Sequence, residues 1–426
     1  MGLLQRLKQH VLHDDLRRSS TLLVLSQAVN AAGAFLFWML CARLFPASQI
    51  GLATAFISYG ALVAAFTHLG LPVTVLRFLP MSKRRGGLFS AAMLLVTVCS
   101  LLGGVIALAA IRLLAPRLVF AQHDAGLALL LVLLVAVGAL AGLMDSVLTA
   151  LKKSGYVLGK TAIVTLPRLL SVFTVAGLGL GGLVGLYTLS LLGGVVFAAV
   201  LIARRLKHSG LLSPAFGELY PHRAFAAANY FGSMFGILPG TLVPLIVLAK
   251  LGPTQAAFFY MPMQLAVFLG IIASSTCQAL LAAVAHDDNP AMYRAYVVKA
   301  ARHLYRLLIP AALCMVLLGW VVLHLYGAAY AAHGYAPLLI LCAASLLVGL
   351  NWLGDAWLNI QKRGRAYFLM NAVNALAVVA GVYALAGRGL VGVAAGWLLG
   401  QTVSAAIYVA LFARSQLAIL LGVKIS

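Results

Sequence analysis

Long apolar stretches recur along the chain with short polar segments between them, a pattern that predicts membrane-crossing helices. The stretches cover roughly residues 21–42, 50–73, 87–111, 125–151, 161–180, 183–203, 226–248, 256–281, 307–326, 336–358, 366–386 and 390–412. Each is near the ~20 residues needed to cross a hydrocarbon core about 30 Å thick. The predicted fold class is an all-α polytopic membrane protein with 12 transmembrane helices. An even number of crossings puts both termini on one side.

The polar segments set the orientation. Segments rich in Lys and Arg alternate with poor ones, so that one side collects 24 basic residues, among them Lys83, Arg84, Arg85, Lys152, Lys153, Arg204, Arg205, Lys362 and Arg363. The other side has five, Arg43, Arg112, Arg117, Lys250 and Arg388, and Arg168 falls inside a span. Cytoplasmic loops carry the basic excess, so both termini are expected in the cytoplasm. A net charge of +22 would suggest nucleic acid in a soluble domain. Here it is spread over short loops on one face, where it orients the protein and attracts anionic headgroups by about 1 kcal/mol per basic residue. No nucleic-acid partner is expected.

At 63% hydrophobic and 9% charged, the chain lacks the polar surface of a large soluble domain. Its five cysteines, Cys41, Cys99, Cys277, Cys314 and Cys342, sit inside predicted spans without CxxC spacing, so they are read as packing residues rather than disulfides or metal ligands. Gly155-Tyr156-Val157-Leu158-Gly159-Lys160-Thr161 has three residues between its glycines where a phosphate-binding loop needs four. It is read as a turn feeding the fifth span. No cofactor and no metal are expected, and any transport must run on a gradient or on the substrate's own imbalance. Eight acidic residues, of which only Asp124 falls in a segment on the basic-poor side, offer little for catalysis. An intramembrane enzyme acting on lipid-linked sugars stays open as an alternative.

Before the first span, Leu3, Leu4, Leu7, Val11 and Leu12 mark one face of a short helix with Arg6 and Lys8 opposite. Residues 1–20 are expected to lie on the inner membrane surface.

The chain also repeats itself. Ala42-Arg43-Leu44-Phe45-Pro46 corresponds to Ala249-Lys250-Leu251-Gly252-Pro253, and Gly182-Leu183-Val184-Gly185 to Gly389-Leu390-Val391-Gly392, both at an offset of 207. Asp145 lies seven residues before Lys152 as Asp355 does before Lys362. Two parallel six-helix lobes follow, 21–208 and 226–426, joined by a linker over 209–225. Transporters so built bind substrate near midplane between their halves. Pro72, Pro167, Pro239, Pro244 and Pro262 are expected to kink or unwind helices at or within spans.

The stretch Phe37-Trp38-Met39-Leu40-Cys41-Ala42-Arg43-Leu44-Phe45-Pro46-Ala47-Ser48-Gln49-Ile50-Gly51-Leu52-Ala53 resembles the opening of bacterial O-antigen and polysaccharide flippases of the multidrug/oligosaccharidyl-lipid/polysaccharide exporter superfamily. So do Leu325–Tyr330 with Ala336–Leu341, and Gly70-Leu71-Pro72 with Arg77. The resemblance implies two lobes around a central cavity in the bacterial cytoplasmic (inner) membrane. It implies movement of a polyprenyl-pyrophosphate-linked oligosaccharide by alternating access, with the bilayer, a polysaccharide polymerase and glycosyltransferases as partners. Drug antiporters of the same superfamily often carry an acidic residue in the first span, where this chain offers Gln27 and Asn30. A cation-coupled multidrug and toxin extrusion antiporter remains the alternative.

Charged groups within spans cost about 2.5–3.5 kcal/mol at a helix centre and must face protein or water. Asp145 and Arg168 are expected at similar depth, either as a salt bridge or with Arg168 as a ligand for the pyrophosphate of the cargo that the resemblance implies. Substrate-binding candidates are Arg168, Arg77, Asn30 and Asn229, and ion-coupling candidates are Asp145 and its repeat mate Asp355.

Overall fold

The computed structural model describes residues 25–151, 153–206, 213–284 and 290–420. Its described elements are helices: α1 (Leu25–Leu44), α2 (Ala47–Thr67), α3 (Leu71–Phe78), α4 (Arg85–Leu114), α5 (Phe120–His123), α6 (Ala125–Ala150), α7 (Ser154–Ser171), α8 (Gly179–Leu206), α9 (Phe216–Leu219), α10 (Arg223–Leu251), α11 (Pro253–Val284), α12 (Pro290–Tyr326), α13 (Ala328–Ile360), α14 (Gly364–Leu385) and α15 (Gly389–Leu420). The helix expected over residues 1–20 lies outside the described residues.

Most predicted stretches fall on one long helix each; that over 50–73 spans α2 and part of α3, and that over 161–180 outruns α7, which ends at Ser171. Ten described segments are long and apolar enough to cross a membrane on those grounds alone. In that count α14 and α15 run together and α7 is left out, because Lys160 and Arg168 interrupt its apolar run. Large apolar side chains point outward along whole helices, for example Leu102, Val105, Ile106 and Leu113 on α4 and Leu313, Leu317, Leu318 and Val321 on α12, with Leu113 83% and Leu317 75% exposed. Water would penalise such a surface, whereas a hydrocarbon solvent does not.

Two expectations need correction. The stretch over 50–73 is not one helix, because Leu69 (φ 53°) and Gly70 (φ 68°) turn the backbone left-handed after α2 and Pro72 opens α3. His68 caps the break, its Nδ1 accepting from Gly70 N–H at 3.4 Å. Gly70 is required for space as well as φ, since a Cβ there would run into the carbonyl of Ala226. The segment Gly155–Thr161 is not a turn either. Helix α7 already begins at Ser154, and ahead of it Lys153 N–H bonds Leu148 O at 3.0 Å.

The chain divides into two compact units, the first made of Met1–Gln49 and Phe56–Met234, the second of Ile50–Ala55 and Phe235–Ser426. In unit 1 a core of Val75, Leu88, Val135, Leu143, Val147 and Ile202 joins α3, α4, α6 and α8. The segment before α10 is strapped to the α3–α4 connection. Ala215 N–H donates to Gly87 O at 2.9 Å, Arg84 donates to Ser213 at 3.1 Å, and the Ser82 hydroxyl donates to Glu218. In unit 2 the backbones of α14 and α15 nearly touch: a Cβ on Gly381 would lie 2.7 Å from Gly396 O.

Turns repeat between the units. Arg363 N–H bonds Leu358 O at 3.0 Å, as Lys153 bonds Leu148. Gly179 (φ 59°) and Gly389 (φ 77°), 210 positions apart, start α8 and α15 after a single 3₁₀ turn.

Candidate functional site

Of the eight acidic residues only Asp145 and Asp355 lie within apolar stretches, so their surroundings carry most of the site's chemistry. Asp145, on α6, is held by Lys160 of α7, with Nζ 2.7 Å from Oδ1. Lys160 is buried and its ammonium also donates to Ala141 O at 3.1 Å. The expected Asp145–Arg168 salt bridge is therefore not formed. Because α7 starts at Ser154, Lys160 is the residue that faces Asp145, and Arg168 lies eight residues, about 12 Å, farther along the helix.

Arg168 is instead seated among aromatic rings. Its guanidinium carbon lies 4.1 Å from the ring centre of Tyr187 on α8 and 5.5 Å from that of Phe37 on α1, and its Nη2 donates to Tyr187 O at 3.4 Å. The side chain is 9% exposed. A delocalised, weakly hydrated guanidinium tolerates this better than an ammonium would, and ring faces stabilise it where water is scarce.

Asp355, on α13, has neutral partners. The Tyr408 hydroxyl of α15 donates to Oδ1 at 2.5 Å, and the Asn371 amide of α14 donates to the same oxygen at 3.0 Å. One turn earlier on α13, Asn351 donates to Gln401 Oε1 of α15 at 2.7 Å. Asn351 Oδ1 is buried without a hydrogen-bond partner. Three helices thus converge on a carboxylate oxygen that a phenol and an amide both satisfy as neutral donors. Tyr408 and Gly354 also border an apolar cavity of about 190 Å³ with Leu353, Trp357 and Phe412.

The remaining candidates do not join these clusters. Arg77 is exposed at the end of α3, where its guanidinium lies 4.8 Å from the ring centre of Phe225, and the neighbouring Phe78 stacks on His222 at 3.6 Å. Asn30 is exposed on α1. Asn229 lies on α10, and its side chain is outside the described residues. Lys160, Asn371, Tyr408 and the Asn351–Gln401 pair were missed. A polar residue inside a predicted span was a signal for all but Lys160, which falls just before the predicted fifth span.

No protein-family profile matches the chain, and no curated protein sequence matches it. Solved structures do. An inward-facing multidrug resistance MATE family transporter of the MOP superfamily superposes with a TM-score of 0.70 at 15% identity, covering 95% of this chain and 100% of that one. An outward-facing structure of such a transporter gives 0.60 at 15% identity over 95% and 96%. The lipid II flippase MurJ, in an inward closed conformation, gives 0.71 at 12% identity over 92% and 87%. The chain has the fold these transporters share. It is a multi-pass membrane protein, and the resemblance expected from its sequence extends to the superfamily's fold.

Proposed function

We propose that the protein is a flippase of the bacterial cytoplasmic membrane. It moves a polyprenyl-pyrophosphate-linked oligosaccharide to the outer leaflet by alternating access, for assembly of a surface polysaccharide. In this reading both termini are cytoplasmic, lobes 21–208 and 226–426 are joined by 209–225, and a polymerase and glycosyltransferases act in the same assembly. The observation that carries the reading is Arg168, a buried guanidinium braced by Tyr187 within a fold also used to flip a lipid-linked substrate. Guanidinium engages phosphate in a charged, bidentate fashion. Asp355 is the ion-coupling residue, while Arg77, Asn30 and Asn229 are secondary contacts for cargo. In this reading Asp145, held by Lys160 at 2.7 Å and 47% exposed, acts as half of an ion pair.

Deletion with complementation tests this. Loss of the protein should abolish one surface polymer and leave its lipid-linked repeat unit on the cytoplasmic side. Complementation with Arg168→Ala should restore membrane abundance but not the polymer, and Arg168→Lys should restore part of it. The MATE-like fold supplies the competing reading, a drug antiporter. An intact polymer together with new drug sensitivity would decide for that reading.

A further inference from the structure

Asp145 and Asp355 hold equivalent places in the two units, 210 positions apart, yet the groups facing them differ in charge. In unit 1 the carboxylate meets an ammonium, Lys160 Nζ, at 2.7 Å. In unit 2 the residue 211 positions after Lys160 is Asn371, which offers a neutral amide N–H at 3.0 Å.

The difference extends to space. The stem of Lys160 runs over Gly194, where an added Cβ would lie 3.4 Å from its Cγ, and its head reaches the carbonyl of Ala141. The side chains found there in unit 2 are Asn351, 210 residues after Ala141, and Gln401 of α15, within one turn of the position 210 after Gly194. These two amides bond one another at 2.7 Å, and Asn351, only 5% exposed, is left with Oδ1 unpartnered. The room and the positive charge that one lysine supplies in unit 1 are thus replaced in unit 2 by neutral side chains rich in oxygen. Oxygen is the ligand a small hard cation prefers, and Asp355 and the orphaned Asn351 carbonyl supply it one turn apart on α13.

Building on the reading of Asp355 as the ion-coupling residue, we propose that Lys160 is a tethered cation. It permanently fills in unit 1 the place that an exchangeable sodium ion takes beside Asp355 in unit 2, so that unit 1 is made independent of the ion. An ammonium on a four-carbon stem cannot dissociate into bulk solution. The charge state of unit 1 then stays constant through the transport cycle while that of unit 2 varies.

The experiment exchanges the two residues and reads sodium dependence directly. Full-length protein in lipid nanodiscs is melted in sodium chloride and in N-methyl-D-glucamine chloride at equal ionic strength. The wild type should melt higher in sodium, because a ligand bound only to the folded state raises Tm. Asp355→Asn should lose that response. Lys160→Asn combined with Asp355→Asn should regain a saturable sodium response, and adding Asp145→Asn should abolish it. Identical melting in both salts for the Lys160→Asn/Asp355→Asn protein overturns the proposal. If Lys160→Asn does not fold, the reciprocal Asn371→Lys decides. It should melt at or above the sodium-free wild type with no sodium response, and a retained response overturns the proposal. A sodium-insensitive wild type would sink the coupling role of Asp355 and, with it, the proposal that rests on it. A sodium response that depends on Asp355 without any gain from Lys160→Asn would overturn the tethered-cation role alone and leave the coupling role of Asp355 standing.

Discussion

Tyr408 and Asp355, 53 residues apart on α15 and α13, share a hydroxyl-to-carboxylate hydrogen bond of 2.5 Å. A bond to a charged group contributes about 1.5–3 kcal/mol. Tyr408→Phe removes it while keeping the ring that packs against Gly354. Translocation per molecule should fall about tenfold or more, consistent with that magnitude. Gly354→Ala should act in the same direction, since the new methyl would come 2.6 Å from Tyr408 Cε1 and push the ring away. Surface polymer normalised to immunoblotted protein checks both. Full transport by Tyr408→Phe would show that the hydroxyl has no part in it.

The Lys160–Asp145 pair predicts an asymmetric thermodynamic cycle. Removing one partner of a buried ion pair costs about 3–5 kcal/mol when the other is left buried. Lys160→Met leaves Asp145, whose side chain is 47% exposed and can be hydrated. Asp145→Asn leaves an ammonium that is 7% exposed, and is the costlier change. The double variant should recover most of the lost abundance. Arg168→Ala with Asp145→Asn should be additive, because these residues do not pair. Membrane abundance and detergent melting of the four proteins measure the coupling.

Helices α14 and α15 approach through Gly381 and Gly396, and in a lipid environment such close backbone contact supplies much of the packing. Gly396→Ala would place a methyl 2.5 Å from Gly381 C and Val382 N and force the helices apart. A destabilisation of about 1–3 kcal/mol is expected, as for overpacking generally. Protein level should drop while transport per surviving molecule holds. An unchanged melting temperature would refute this.

The alternation of basic loops predicts which helix ends face the cytoplasm. Reporters active only outside it should work after Arg117, Gly252, Gly327 and Arg388, and fail after Arg84, Lys153 and Arg363. Each position lies in a break between described helices or just beside one, so the fusions interrupt little structure. The reverse pattern would overturn the orientation.

The helices were legible because an apolar stretch of the right length has few other ways to satisfy its backbone. What sequence could not supply was rotational and axial register. Asp145 and Arg168 share a neighbourhood in a list of spans, but where α7 begins decides whether residue 160 or residue 168 meets α6. The broken helix at Leu69–Gly70 was half legible, since Pro72 was expected to kink that span, whereas Leu is an unusual residue at positive φ and gives no turn signal. The Asp355 cluster was half visible: the carboxylate stood out, whereas Asn371, Gln401 and Tyr408 became its neighbours only once three helices were placed together.

Helix α12 runs for 37 residues, about 55 Å, against a hydrocarbon thickness of about 30 Å. Even a tilted helix of that length carries several turns beyond the lipid, and its Lys299, Arg302 and Arg306 end is the part suited to water. For imaging by electron microscopy, a 44.8 kDa chain buried in a disc of lipid presents little to align on. A rigid helical fusion continuing the register of α12 from that end would give particles a handle that turns with the protein.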